Sequence, residues 1–324
     1  MRPDVSVLLL TTLIGAGQGL FVALFSTELA AMAGLVPAQD GLRFYAHGSL
    51  LALVFLAGGL VASFFHLGRP ERAWRAAAMW RTSWLSREVI VLPAVMATVF
   101  LFGAIHLLTA GGDAFTQGDA TAATLLVGSL GTVLTFALFV CTAMIYACLP
   151  FLREWASPLT VVNYTLLGLA SGFTLAAAFA SVAAPDLVAR LSAAAFILTA
   201  LGLAGRIASL VRNARLGPKS TLQTALGIAH PRIVQKSMGF MGGSFNTREF
   251  FHGKPQSTLR RVQWTFIVAG FVIPLAILGA CWAGAPAPFA RLAFVVQFLG
   301  LVAERWCFFA EARHPQNLYY QAVA

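Results

Sequence analysis

VSVLLLTTLIGAGQGLFVALFSTELAAM, residues 5–32, is one continuous apolar run. A helix needs about 20 apolar residues to cross the hydrocarbon core of a bilayer. This run exceeds that, and it also exceeds the apolar core of a cleaved signal peptide. No basic segment leads into it and no clear small-residue cleavage site follows. It is expected to be a first transmembrane helix and not a removed leader.

The rest of the composition agrees. Of 324 residues, 59% are apolar and 10% are charged. A soluble domain carries about a quarter of its residues as charges, so this chain cannot cover a water-facing surface and lipid must be its solvent. The apolar runs give eight spans, at 5–35, 44–65, 88–110, 121–148, 158–183, 188–211, 262–284 and 288–309. They are solidly apolar, not alternating, and too long for the strands of a membrane barrel. The expected fold is an all-α membrane protein, a bundle of eight transmembrane helices in a single integral membrane domain over residues 1–324. The first and fourth spans have length to spare, which implies tilt or extension beyond the bilayer. Gly15, Gly17 and Gly19, and Ala176, Ala177 and Ala178, are small residues that allow helices to approach closely.

Charge orients the bundle. With eight spans, both termini and the second, fourth and sixth loops share one side. That side carries 18 of the 22 lysines and arginines, and the other side carries only Arg43, Arg190 and Arg291. Arg206 lies inside the sixth span. By the positive-inside rule the rich side, with both termini, is cytoplasmic, as in a multi-pass protein of the bacterial inner membrane. The net charge of +10 therefore sits on one face. It comes with no nucleic-acid motif, and anionic lipid headgroups account for part of it. The long loop 212–261 contains KSMGFMGGSFNTREFFHGKP (236–255), rich in glycine and aromatics. A simple tether would be shorter or more polar, so this loop reads as a surface for a docked soluble partner.

Cys141, Cys148, Cys281 and Cys307 lie in the spans or at their ends, with no CxxC spacing for zinc or an iron–sulfur cluster. No phosphate-binding GxxxxGK[ST] loop, GxSxG elbow or HExxH is present. His47 and His106 lie at similar depth on adjacent spans near the less basic side, the arrangement that would hold a b-type haem. Their alternative role is bonding to neighbouring polar groups. His230, His252 and His314 fall in the sixth loop and the tail. Near the end of the last span, Glu304 and Arg305 are expected to form a local ion pair.

The most informative hydrophilic stretch is FFHLGRPERAWRAAAMWRTSWLSRE (64–88), between the second and third spans. It places His66 and Glu88 at one membrane boundary, on helices expected to be neighbours. Burial lowers an imidazole pKa and raises a carboxyl pKa, so it favours the uncharged form of both groups. Groups of this kind exchange protons with water while touching a lipid-soluble molecule. Quinone chemistry needs such groups, because two proton transfers accompany two electron transfers. Arg69, Trp74, Trp80 and Trp84 are candidate walls of a quinone pocket, although interfacial tryptophans also serve as anchors. The plainer alternative is a Glu88 paired with Arg69, Arg81 or Arg87.

HLGRPxRAW (66–74), SWLSRE (83–88), MGFMGGSFNTREFFHG (238–253) and ERWCFFAEARHPQNLYY (304–320) resemble the membrane anchor subunits of the dimethyl sulfoxide reductase family. The resemblance implies an anchor that serves a quinone, ubiquinone or menaquinone, and holds neither haem nor cluster itself. It implies partners: an iron–sulfur subunit with [4Fe-4S] clusters and a catalytic subunit with a molybdenum bis-pterin cofactor. It places quinone binding on the histidine of HLGxP and the glutamate of SxE, here His66 and Glu88. Arg72, Arg75, Arg81, Arg248, Phe250 and His252 are then expected at the docking face. Because the basic loops face the cytoplasm, the soluble partners should too. That favours the sulfite-oxidising, quinone-reducing branch over quinol-driven S-oxide or N-oxide reduction. From the residues alone, an ion-coupled transporter using Glu28, His47, His106 and Glu304 remains the reading of another class.

Overall fold

A computed structural model describes residues 4–111, 117–217, 220–237 and 255–320. Eight helical segments in it are long and apolar enough to cross a membrane, and no strand occurs among the described residues. Helix α1 is Val5–Met32, α2 His47–Phe64, α3 Trp84–Ala110, α4 Gln117–Ala147, α5 Pro158–Ala183 and α6 Val188–Ala214. A one-turn helix, α7 (Leu222–Leu226), lies in the sixth loop, and α8 (Gln256–Ile267) and α9 (Ile273–Trp282) together make the seventh span. The eighth is α10, Phe289–Ala310. Eight crossings return the chain to the end where it began, so the basic loops and both ends of the described chain lie together.

Several helices run further than the apolar runs suggest, while the first stops at Met32, three residues short of its expected end. Helix α3 begins four residues before the expected boundary because Ser83 caps it, its hydroxyl accepting from the Ser86 amide. Helix α8 begins at Gln256 with the polar turn QSTLRR, and α6 continues to Ala214. Polar helical turns that project beyond the hydrocarbon core leave no mark in hydropathy. The 212–261 loop is shortened from both ends as a result. Its short helix α7 is held by reciprocal Thr221–Thr224 capping and stops at Gly227, whose φ of +69° suits glycine. The Tyr319 hydroxyl donates to Ala225 O and fastens this turn to the tail.

Helices α1 and α5 form the centre, each 67% buried over its most apolar window, against 33% for α3. Glycine is what brings them together. A Cβ on Gly172 would lie 2.1 Å from the carbonyl carbon of Gly19, and one on Gly19 would lie 2.3 Å from Gly168 O. Gly17 in turn faces the α2 backbone at Ala52. The glycine cluster of the first span thus packs α1 against both neighbours. A second close crossing joins Gly270 to Gly300, where the seventh span carries a π-helical turn (Val268–Val272) just before Pro274. Proline removes one helical hydrogen bond, and the wider turn absorbs the mismatch.

Several hydroxyls inside the spans bond back to their own helix. Thr12, Thr27 and Thr174 each donate to the carbonyl four residues earlier. At the basic end an aromatic cluster locks α4, α5 and α10 together. Trp155 stacks on Phe308 and donates its indole N–H to Phe308 O at 2.8 Å, while Tyr146 contacts Trp155, Tyr164, Phe308 and Phe309. Edge-to-face and stacked pairs of this kind add rigidity beyond area burial. They form a stiff frame beside the residues described next.

Candidate functional site

Glu88 sits one turn into α3, on the face turned toward α4. It is 8% exposed, and the Thr142 hydroxyl donates to its Oε1 at 2.5 Å. None of Arg69, Arg81 or Arg87 takes it as an ion-pair partner. Arg87 instead donates Nε–H to Trp80 O and Nη2–H to Arg81 O, tying down the loop end. Glu88 faces an internal cavity of about 20 Å³ that also touches Gln18, Tyr164, Ser171 and Arg305. That volume holds a water or two but not a quinone ring, because ligand pockets run to hundreds of Å³.

His66 follows the end of α2, at the protein surface. Its Nδ1 is hydrogen-bonded at 3.2 Å to Ser6 Oγ in the first turn of α1, the helix that Asp4 caps. Partial burial against α1 pushes the imidazole below its ordinary value, and the Asp4 carboxylate offsets part of that shift. Burial therefore favours the neutral form of the ring. His66 and Glu88 do not touch. Both border the first turns of α1, His66 through Ser6 and Glu88 through the cavity wall at Leu10 and Thr11. Residues 6 and 10 are one turn apart on α1.

The segment between them is a 3-10 turn, Pro70–Met79, with no buried residue. Trp74, Met79 and Trp80 are exposed, as are Arg69, Arg72, Arg75 and Arg81. Three arginines lie over neighbouring indoles, Arg75 on Trp74, Arg81 on Trp80 and Arg87 on Trp84, the last at 4.2 Å. Arg69, Trp74 and Trp80 thus present an outer surface, away from the Glu88 cavity, whose walls come from other helices. Arg248, Phe250 and His252 lie outside the described residues.

A set of groups that local motifs do not reveal fills the same end of the bundle. Arg206 of α6, 2% exposed, meets Glu304 at 2.7 Å and Glu311 at 3.3 Å. Arg305 lies 3.6 Å from Glu304 and packs its guanidinium 3.7 Å over Tyr164. The expected Glu304–Arg305 pair exists, but the shorter contact of Glu304 is with Arg206. Two cations and two carboxylates so balance inside the bundle, as buried charges must. Asn213 adds a hydrogen bond to Glu311.

At the opposite end, the His106 ring stacks on Tyr45 at 4.5 Å and lies against Phe102, with Nε2 3.4 Å from Glu28. His47, the first residue of α2, is exposed. The contacts of His106 are those of a histidine packed within the fold. Cys141, Cys281 and Cys307 are buried free thiols and Cys148 is exposed. Among the described residues no group of three or more His, Cys, Asp or Glu is arranged to hold a metal ion.

Residues 1–230 match the DMSO reductase anchor subunit (DmsC) family. The chain belongs to that family. It is also 57% identical over 326 residues to the C subunit of the sulfite dehydrogenase of Allochromatium vinosum, covering 100% of both chains. An anchor subunit of this family is in keeping with the eight apolar helices. Membership of the anchor family takes the place of the transporter reading.

Proposed function

We propose that the chain is the quinone-reactive anchor of a molybdenum/iron–sulfur sulfite dehydrogenase with its soluble subunits on the cytoplasmic side. Sulfite and water give sulfate, two protons and two electrons at the molybdenum centre of the catalytic subunit. The iron–sulfur subunit then brings the electrons to the membrane, where one quinone takes up two electrons and two protons. The full-length likeness to the C subunit of a sulfite dehydrogenase carries this reading. The protein's own contribution is proton handling. Neutral His66 binds the quinone oxygen at the surface end of α1, and Glu88, held by Thr142, supplies protons from inside the bundle.

The exposed Arg72, Arg75 and Arg81, two of them braced against their indoles, suit an acidic partner surface, and the adjoining tryptophans suit the headgroup layer. The unequal distribution of basic residues supports the cytoplasmic placement. In the intact complex, His66→Ala or Glu88→Gln is expected to abolish sulfite-driven quinone reduction while sulfite oxidation with a soluble dye continues. Normal quinone turnover in both variants would remove the assignment. A twin-arginine export signal on the catalytic subunit would instead favour quinol oxidation coupled to S-oxide or N-oxide reduction outside the cytoplasm.

A further inference from the structure

Three cavities lie in sequence between Glu88 and the basic face, and shared side chains separate them. The first, about 20 Å³, touches Glu88, Tyr164 and Arg305. The second, about 10 Å³, has Tyr164 and Arg305 on its inner wall and Arg206, Ser209 and Glu304 beyond them. The third, about 480 Å³, is a wide vestibule bordered by Glu154, Asn213, Arg260, Gln263, Glu311 and Arg313. Glu154 borders the second and third alike, and Arg206 in the second cavity binds Glu311 in the third. Each inner cavity is near the size of one water.

The polar atoms along this line are unusual for a membrane interior. Tyr164 is 4% exposed and borders both inner cavities, and its hydroxyl is shared with that of Tyr146, whose ring stacks beside it. Glu304 is 1% exposed, and its Oε2 lies 3.6 Å from Arg305 Nε without accepting a hydrogen bond, while Asn163 Oδ1, on a residue that lines the second cavity, has no hydrogen-bond partner. Buried polar atoms are ordinarily paired, and free ones at cavity walls have the geometry for binding water. If the charges served stability alone, apolar residues would fill the same space at no loss.

We infer that these cavities form a proton path from the cytoplasmic vestibule through Glu311, Glu304 and Tyr164 to Glu88. It rests on the proposed quinone reading, because it supplies the protons that reaction consumes. Each quinone takes two electrons from the docked iron–sulfur subunit and two protons from this path. Carboxylates, the phenol and water pass the protons, while Arg206 and Arg305 stay charged and hold the carboxylates in place. Glu311 is the mouth of the path. It is 11% exposed and accepts from Arg206 and Asn213 of α6. It faces Glu304 and Cys307 of α10, Arg260 and Gln263 of α8, and Glu154 and Arg313 from the flanking loops. Burial raises the Glu311 carboxyl and Arg206 draws it partly back, leaving a group that exchanges protons nearer neutrality than a surface glutamate.

The test uses the assembled complex with sulfite as donor and a water-soluble short-chain quinone as acceptor. Tyr164→Phe removes only an oxygen atom, and Glu311→Gln keeps the shape of the side chain. Each is expected to lower kcat by about 10-fold or more with KM for quinone held within about twofold. The deficit should deepen as pH rises and protons grow scarce, and Glu311→Asp should restore part of the rate. Dye-linked sulfite oxidation reports whether the complex has assembled, and Glu88→Gln in the same preparation reports on the quinone reading. If Glu88→Gln retains turnover, the quinone site itself is misplaced. If Glu88→Gln is inactive while either Tyr164→Phe or Glu311→Gln keeps wild-type kcat across the pH range, the path is overturned and the quinone reading stands.

Discussion

Replacing Gly172 by alanine tests the packing on which the site depends. The added Cβ would sit 2.1 Å from Gly19 C, 2.2 Å from Gly19 Cα and 2.3 Å from Leu20 N. Ordinary contact begins near 3.4 Å, so α1 and α5 must separate by about 1.3 Å. These three nearest atoms are all backbone, so no rotamer change relieves the contact. Overpacking costs up to about 3 kcal/mol, and alanine recovers about 1 kcal/mol of helix propensity, leaving a net loss of about 2 kcal/mol. Gly15→Ala is the control on the same helix pair, since its Cβ would meet nothing nearer than 3.4 Å. That variant should be neutral or gain up to about 1 kcal/mol. Unfolding in mixed detergent micelles, followed by tryptophan fluorescence, measures both. Because α5 also carries Tyr164 and Ser171 to the Glu88 cavity, Gly172→Ala should reduce quinone turnover as well. Equal stability of the two variants would refute the close-crossing account of the core.

Glu304→Gln leaves Arg206 and Arg305 with only Glu311 to balance them, so a loss of about 3–5 kcal/mol is expected, partly recovered by adding Arg206→Met; a loss below about 1 kcal/mol in the same unfolding assay would contradict a charged cluster. Thr142→Val removes the hydroxyl donor to Glu88, a hydrogen bond to a carboxylate valued at about 1.5–3 kcal/mol, and should slow quinone reduction with dye-linked activity intact. The Asp4 carboxylate raises the His66 pKa, so Asp4→Asn, which keeps the helix cap, should lower it further. With the neutral ring as the active form, the acid limb of the quinone-reduction profile then moves to lower pH. The linked stability has the same sense: a histidine with a depressed folded pKa contributes stability above its ordinary 6.5 that is lost as pH falls.

Much of the architecture is written in the order of residues because lipid imposes a simple rule. Any segment that crosses the bilayer must satisfy its backbone internally over about 20 residues. Hence the eight spans were legible to within a few residues at their ends, the largest difference lying where the polar turn QSTLRR extends a helix into the headgroup region. His66 and Glu88 stand out as candidates in the sequence because each lies in a short local motif at a span end. The glycines of the first span stood out as small, but which helix each one touches did not, since Gly17 meets α2 and Gly19 meets α5.

The sequence by itself determined the class of the protein, its spans, the uneven distribution of charge and the two candidate quinone groups, all of them local or compositional properties. Only the tertiary structure decided that Glu88 is held by Thr142 and not by a loop arginine, that Trp74 and Trp80 face outward, and that Arg206 is the nearest partner of Glu304. It alone placed Tyr164 and Arg305 between Glu88 and the vestibule. The physical reason is that a threonine, a tyrosine or an arginine in an apolar helix has no distinctive neighbours in sequence. Its role depends on which face of the helix carries it and on which distant helix packs against that face.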